Sequence, residues 1–131
     1  MNLYYLDIYD IFQIHEDVIQ DAGGGQGVRD KAGIESAIVA PKSVYFGLEL
    51  YPTIAGKAAV LCYELITQHP FIDGNKRVGH SAMLHFLRIN DHVLGGDDDE
   101  HEEIILNLAD GKLTIEEFTK WVEIQIIPLN I

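Results

Sequence analysis

The sequence predicts an all-α domain of about six helices, and three observations lead to that prediction. Apolar residues recur at helical spacing in most segments that lie between glycines and prolines. Asp7, Asp30 and Thr114 each stand just before such a segment, where their side chains can cap a helix. Strand-like alternation is confined to residues 43–51. At 131 residues the chain fits one domain, residues 1–131.

The first part of the chain predicts two helices and one connecting segment. Asp7 caps the first helix, which Gly23 ends, and Asp30 caps a shorter helix that Pro41 stops. Residues 43–51 contain aromatic and alternating apolar positions, which we interpret as a loop or short hairpin. The apolar face of the first helix is formed by Ile8, Phe12, His15 and Ile19.

The middle of the chain predicts a helix that is mostly buried. Pro52 opens it, and two adjacent apolar stripes run along it, so that its apolar face is unusually wide. Pro70 interrupts the pattern, and the next helix is expected from about Asn75 to near Asn90. The stripes consist of Ile54, Ala58, Leu61 and Leu65 and of Ala55, Ala59, Cys62 and Ile66.

Two further helices are expected in the last third. The acidic residues 97–100 begin one of them, and Asp110-Gly111 forms the turn that follows it. Thr114 and Glu117 have the spacing of a capping box, which predicts the start of the final helix. Pro128 is expected to end that helix.

Charge and composition argue against several classes of function. The formal net charge is −12, with nine Lys and Arg residues, and such a surface repels nucleic-acid phosphates and anionic lipid. No apolar run approaches the roughly 18 residues that span a bilayer. Cys62 is the single cysteine, and the N-terminal residues make a poor signal peptide. We therefore expect a cytoplasmic protein that binds neither nucleic acid directly nor membranes.

The segment from His69 to Arg77 concentrates residues suited to phosphate chemistry. Gly74 lets a ligand approach the backbone, and Asn75 begins a helix whose free N–H groups favour an anion. Lys76 and Arg77 add positive charge beside them. The same segment also fits a purely structural turn between two helices, and the residue chemistry alone does not decide between the two interpretations.

Two more residues of this segment supply what a group-transfer reaction needs. His69 can accept a proton from a hydroxyl near neutral pH, and Asp73 can bind Mg²⁺ through oxygen. Outside the segment, we expect His15 to be a buried histidine bonded to the backbone. Arg29 fits pairing with Asp30 or with a helix end, and Gly79 fits either close helix packing or ligand approach.

Residues His69–Arg77 resemble the signature of the Fic/Doc superfamily, His-x-Phe-x-[Asp/Glu/Asn]-[Ala/Gly]-Asn-[Gly/Lys]-Arg, at every fixed position. Lys76 stands where the Fic branch has glycine, which is similar to the Doc (death-on-curing) branch. The resemblance implies a compact, single-domain helical bundle. Residues 43–51 lie where Fic-type proteins carry a flap that aligns a target segment, and a plain connecting loop is the alternative interpretation. Other segments similar to Doc-type sequences are Ile14-His15, Gly27–Asp30, Ile34–Ala37, Phe86–Asn90 and Asp110–Leu113.

The resemblance also implies a role for each residue of the site. His69 would be the base that deprotonates the target hydroxyl, Asp73 would hold Mg²⁺, and Arg77 would neutralise charge on the phosphates. These three form the expected catalytic set. The residues expected to bind ATP, with the loop backbone, are Gly74, Asn75, Lys76 and Arg77.

The activity implied by the resemblance is that of an ATP-dependent protein kinase. Lys76 would occupy the space that Fic enzymes give to the α- and β-phosphates, and His80 replaces the second arginine common in Fic enzymes. We therefore expect transfer of the γ-phosphoryl group to a Ser or Thr hydroxyl of a protein. The alternatives are Fic-type AMP transfer and an idle binding protein that keeps the fold.

The resemblance further implies a toxin of a toxin–antitoxin pair. Elongation factor Tu would be the target, and inhibition of translation the outcome. A Phd-like antitoxin would dock a helix near the site. The internal inhibitory motif of some Fic proteins fails here, because Ile124 follows the nearest match, Thr119–Glu123.

Overall fold

The computed structural model describes residues 2–129, which form six α-helices and two small two-stranded sheets. The predicted all-α class is therefore confirmed. The helices are α1 (Ile8–Ala22), α2 (Lys31–Val39), α3 (Ile54–Thr67), α4 (Asn75–Ile89), α5 (Asp98–Ala109) and α6 (Ile115–Gln125). The strands are β1 (Val44–Tyr45), β2 (Leu48–Glu49), β3 (His92–Leu94) and β4 (Ile126–Pro128), and Ala40–Lys42 is a 3₁₀ turn.

Five of the six helices begin with a side-chain cap, which stabilises a helix by satisfying a free backbone N–H. The caps of α1, α2, α3, α5 and α6 are Asp7, Asp30, Thr53, Asp97 and Thr114. Helix α4 differs. It follows Gly74, whose φ is +83°, and no side chain among residues 2–129 caps it. The N-terminus of α4 therefore keeps its N–H groups free of such a cap.

Helix α3 lies at the centre of the core, as its wide apolar face predicts. Ten of its 14 residues are buried, and it packs against α2, α4, α5 and α6. Its contact with α4 is close at Gly79. A Cβ atom there would lie 2.8 Å from Cγ1 of Ile66 and 3.0 Å from the carbonyl oxygen of Cys62. Gly79 thus serves close packing of the two helices that flank the His69–Arg77 segment.

Residues 43–51 form a short hairpin in which β1 pairs with β2. Lys57 of α3, with only 2% of its surface exposed, reaches it from the core. Its Nζ donates to the carbonyl oxygen of Pro41 at 2.8 Å and to Oε1 of Glu49 at 3.1 Å. The apolar side chains of the hairpin face outward, with exposed fractions of 53–88% at Val44, Tyr45, Phe46, Leu48 and Leu50.

The described ends of the chain meet at the C-terminal end of α4. Asn90 exchanges hydrogen bonds with the backbone of Tyr4 at 2.8 and 2.9 Å. On the other side, β4 pairs with β3, and the N–H of Leu129 donates to the carbonyl of Asp91 at 2.8 Å. Both segments are thereby fixed beside α4.

Two expected helix boundaries are wrong, and a third lies within one residue of the expected position. Helix α6 ends at Gln125 rather than at Pro128, because residues 126–128 pair with β3 as a strand. Helix α2 ends at Val39, one residue before the expected end at Ala40, and Ala40–Lys42 continue as the 3₁₀ turn. Pro52 does not open α3, which begins after the cap Thr53. Across residues 2–129, no helix combines the length and the hydropathy that a membrane crossing requires.

Candidate active site

The His69–Arg77 segment forms the connection between α3 and α4, and Phe71 fixes it to the core. Phe71 is 1% exposed. The imidazole of His15 stacks on its ring, with 3.9 Å between the centroids and 6° between the planes. Nε2 of His15 lies 3.0 Å from the carbonyl oxygen of Asp73, so Nε2 carries the proton and donates it. His15 is therefore a buried histidine bonded to the backbone, as expected.

The side chain of Asn75 closes the connection on itself. Its Oδ1 accepts from the N–H of Phe71 at 3.0 Å, and its Nδ2 donates to the carbonyl oxygen of Phe71 at 2.9 Å. Both polar groups of the amide thus hold the loop. A phosphate at this position can be bound by the backbone N–H of Asn75 and by the second N–H of its Nδ2, which the bond to Phe71 does not use.

The glycine-rich segment after α1 pairs with the connection along its length. Val28 forms a single antiparallel bridge with Phe71, and the N–H of Ile72 donates to the carbonyl of Gly27 at 3.2 Å. The N–H groups of Arg29 and Asp30 both donate to the carbonyl of Pro70, at 2.8 and 3.0 Å. Residues 24–30, which we call the support segment, hold the loop in its observed shape.

His69 has an unusual backbone conformation, with φ at +47°. Its carbonyl oxygen accepts hydrogen bonds from both Nε of Arg29, at 3.0 Å, and Nη2 of Arg29. Among residues 2–129, Arg29 therefore does not pair with Asp30, and its partner lies near a helix end, the second alternative expected from the sequence. It binds a backbone carbonyl two residues beyond the end of α3. The side chain of His69 is exposed and lines a cavity.

The carboxylate of Asp73 is positioned by two backbone N–H groups. Oδ1 accepts from Gly74 at 3.1 Å, and Oδ2 accepts from Gly25 at 3.1 Å. A Cβ atom at Gly24, where φ is +121°, would lie 2.9 Å from Oδ2 of Asp73. The glycine at position 24 is thus required for the support segment to approach this carboxylate.

These residues surround a cavity of about 430 Å³ at the N-terminus of α4, which we call the loop cavity. The first hydrogen bond inside α4 runs from the N–H of Val78 to the carbonyl of Gly74 at 2.9 Å. Among residues 2–129, the hydrogen bonds at the start of α4 thus leave the N–H groups of Asn75, Lys76 and Arg77 free to bind an anion. The polar residues of the wall are His69, Asp73, Asn75, Lys76, Arg77 and Asp110.

A second cavity of about 420 Å³ lies between α4 and α5 and shares Lys76 and Arg77 with the first. His80 lines it and bonds His101, with 2.9 Å between Nε2 of His80 and Nδ1 of His101. Nε2 of His101 donates to the carbonyl of Gly95 at 2.7 Å, so Nδ1 accepts and His80 donates. Burial is the largest cause that lowers the pKa of His80, repulsion from His101 when that residue is protonated lowers it further, and Asp98 acts in the opposite direction.

The six site residues expected from the sequence thus line one cavity, but several neighbours were missed. In the sequence, the glycines after α1 indicate only the end of a helix. In the structure they also form hydrogen bonds with Asp73 and with the loop. Asp110, at the end of α5, also reaches the wall of the cavity. No local pattern marks these residues, because their partners lie about 40 positions away in the chain.

The residues at the loop cavity fit a magnesium ion that is shared with a phosphate. Mg²⁺ is usually held by one or two carboxylates together with phosphate and water. Asp73 presents such a carboxylate in a fixed orientation. Among residues 2–129, no group of three or more His, Cys, Asp or Glu side chains could hold a metal. A metal at Asp73 would therefore take its remaining ligands from substrate and water.

Comparison with known proteins now identifies the class. The chain belongs to the Fic/DOC family, whose family model matches residues 5–87, from before α1 to within α4. The chain is also 36% identical over 86 residues to the protein named Toxin Doc from Mycolicibacterium smegmatis. That match covers 65% of this chain and 66% of the relative, and it supports the Doc-branch resemblance. Helices α5 and α6 lie outside the residues that the family model matches.

Proposed function

We propose that this chain transfers the γ-phosphoryl group of ATP to a Ser or Thr hydroxyl of a protein target. The observation that carries the proposal is the loop cavity, where a histidine, a carboxylate, two cationic side chains and an uncapped helix N-terminus meet. An enzyme catalyses phosphoryl transfer mainly by positioning the two substrates and by stabilising the negative charge on the phosphates, rather than by covalent catalysis. The cavity supplies both.

In the proposed reaction, His69 acts as the base. A nitrogen of its imidazole takes the proton from the target hydroxyl. The hydroxyl oxygen then forms a bond to the γ-phosphorus, the bond from that phosphorus to the β–γ bridging oxygen breaks, and ADP leaves. When bound at Asp73, Mg²⁺ would offset negative charge on the phosphates.

The remaining residues bind and orient the phosphates. Backbone N–H groups of Asn75 and Lys76 at the start of α4 bind oxygens, and the helix dipole favours the negative charge there. The guanidinium of Arg77 neutralises charge that develops in the transition state. Lys76 and Arg77 line both the loop cavity and the second cavity. A nucleotide bound to these two residues could therefore extend from one cavity into the other.

AMP transfer is the second candidate for the same site. In that reaction the bond between the α-phosphorus and the α–β bridging oxygen would break, and pyrophosphate would leave. We favour γ-phosphoryl transfer because Lys76 adds bulk and charge at a position that is glycine in the Fic branch. His80, bonded to His101, stands where Fic enzymes commonly have a second arginine. The third candidate is an idle binding protein that keeps the fold.

We further propose that the chain is a cytoplasmic toxin, with elongation factor Tu as target and arrest of translation as the result. The match to a protein named Toxin Doc supports this proposal. A Phd-like antitoxin would control the chain. The exposed apolar hairpin at residues 43–51, held by Lys57, is suited to aligning the target segment.

The experiment that tests the reaction uses purified chain, Mg²⁺ and elongation factor Tu, with ATP labelled at either the α- or the γ-phosphate. We expect label on the target from γ-labelled ATP alone. His69→Ala should abolish transfer while its circular dichroism spectrum stays unchanged. The matched control is His85→Ala, an exposed histidine on α4, which should retain transfer.

The other outcomes are equally informative. Label from α-labelled ATP would replace the kinase with AMP transfer. If the His69→Ala variant transfers label to the target as fast as the wild type, His69 is not the base. If the chain binds ATP-Mg²⁺ but labels nothing, the target is wrong. If it binds no ATP-Mg²⁺, the idle protein becomes the better description. Growth arrest on expression, relieved by His69→Ala, would separately support the toxin role.

A further inference from the structure

We propose that Arg29 is a positioning residue, which holds His69 in the left-handed backbone conformation that presents its imidazole to the loop cavity. The kinetic part of this inference rests on the proposed function. The conformational part does not, because it concerns only the backbone of His69. Arg29 contacts a backbone carbonyl rather than the reacting groups, so it is not a catalytic residue.

The backbone of His69 needs an external constraint. Its φ of +47° lies in a region that residues with a side chain rarely adopt, since Cβ then crowds the following carbonyl oxygen. Such conformations persist when the surrounding structure fixes them. The side chain of His69 is exposed, so packing of the imidazole in the core does not provide the constraint.

Arg29 supplies this constraint on His69 through its side chain. Two nitrogens of its guanidinium, Nε and Nη2, donate to the single carbonyl oxygen of His69. Hydrogen bonds from a charged donor are roughly twice as strong as neutral ones. Together they fix the plane of the peptide that joins His69 to Pro70, and thereby restrict rotation at His69.

The backbone of Arg29 binds the next carbonyl along the chain, that of Pro70. Its N–H donates to the oxygen of Pro70 at 2.8 Å, and the N–H of Asp30 donates to the same oxygen at 3.0 Å. Arg29 therefore binds two successive carbonyls, one with its side chain and one with its backbone. Removing the side chain leaves the bonds to Pro70 in place, so the loop should stay docked while His69 becomes free to rotate.

The kinetic test compares Arg29→Ala with Arg29→Lys and with the matched control Arg88→Ala. Arg88 is exposed in the last turn of α4, so its removal causes the same loss of charge away from the cavity. We expect Arg29→Ala to lower kcat for phosphoryl transfer roughly 10- to 100-fold, with KM for ATP unchanged, because misplaced groups lose rate rather than binding. Arg29→Lys should recover part of the rate, and added guanidinium ion should partly rescue Arg29→Ala. An unchanged kcat, or an equal loss in Arg88→Ala, would overturn the inference.

A second measurement is independent of activity. Three-bond and residual dipolar couplings measured by NMR on this 14.7 kDa chain report φ at His69 directly. We expect a positive φ in the wild type and in Arg88→Ala, and a negative or averaged φ in Arg29→Ala with the rest of the spectrum preserved. A φ that stays positive in Arg29→Ala would overturn the inference whatever the kinetics show. If the wild type transfers no phosphate at all, the proposed function fails, and the couplings still decide the role of Arg29.

Discussion

Asn75 shows how a motif residue can have a structural task beside its expected binding task. Its amide makes two hydrogen bonds to the backbone of Phe71 and so closes the loop over four residues. The ring of Phe71 in turn stacks on His15, which bonds the carbonyl of Asp73. The geometry of the catalytic candidates therefore depends on a side chain that uses one N–H and one lone pair to hold the loop and keeps its second N–H for a ligand.

This arrangement predicts that Asn75→Ala destabilises the chain and also impairs transfer. The substitution leaves the N–H and carbonyl of Phe71 without their partners, which costs about 1–3 kcal/mol. Urea unfolding followed by circular dichroism measures the loss. Asn107→Ala is the control, because no hydrogen bond of the Asn107 side chain is found within residues 2–129. A stability equal to that of the wild type would contradict the role of Asn75 in closing the loop.

At this scale the sequence predicts which residue types reach the site but not what holds them. His69 to Arg77 are consecutive, so their grouping around one helix N-terminus follows from local structure. The bonds from Arg29 to His69 and from Gly25 to Asp73 join residues 40 and 48 positions apart. Nothing in either local sequence specifies that pairing.

Among the elements, the pair α3 and α4 determines where the loop lies, and Gly79 determines how closely the two helices approach. A glycine in the middle of a helix normally weakens it relative to alanine. Here the missing Cβ allows the backbone carbonyl of Cys62 and the side chain of Ile66 to come near. The glycine lies one turn after the start of α4, so it also affects the position of that start.

Gly79→Ala should therefore lower stability, which is opposite to the usual effect. On an open helix surface the change would raise the free energy of unfolding by about 0.8–1 kcal/mol. Overpacking against Cys62 and Ile66 should instead lower it by about 1–3 kcal/mol. Chemical denaturation gives the sign directly. An increase in stability would mean that the two helices separate without difficulty.

Most helix starts and ends are predicted from the sequence, and the main exceptions are the start of α3 and the end of α6. A helix cap accepts a hydrogen bond from a backbone N–H three residues later, so the sequence signal is local. This holds for Asp7, Asp30, Asp97 and Thr114. Strand β4 was missed because its residues form a strand only through pairing with β3, more than 30 positions earlier.

Across the whole molecule, stability should depend on pH through the histidine pair that joins α4 to α5. The pKa of His80 is lowered in the folded chain, chiefly by burial. As the pH falls below about 6.5, the usual histidine pKa, the unfolded chain binds a proton that the folded chain resists. Folding stability contributed by a neutral His80 is therefore present above that pH and is lost as the pH falls towards the folded pKa.

The predicted outcome is a smaller loss of stability at low pH in His80→Gln. Glutamine can still donate to His101 but does not titrate. Free energies of unfolding measured at pH 7 and pH 5 should differ less in this variant than in the wild type. His85→Gln, which replaces an exposed histidine of the same helix, should behave like the wild type. Equal pH dependence in all three proteins would exclude His80 as the source.

The meeting of Tyr4 and Leu129 at the end of α4 has a practical consequence for work with this protein. Helix α4 has 15 residues, so its two ends are about 22 Å apart. An affinity tag or fluorophore joined before Tyr4 or after Leu129 would emerge beside Asn90 and Asp91, at the end remote from Gly74. Labels can thus be attached on either side without obstructing the loop cavity, and a short linker between the two positions would allow circularly permuted variants.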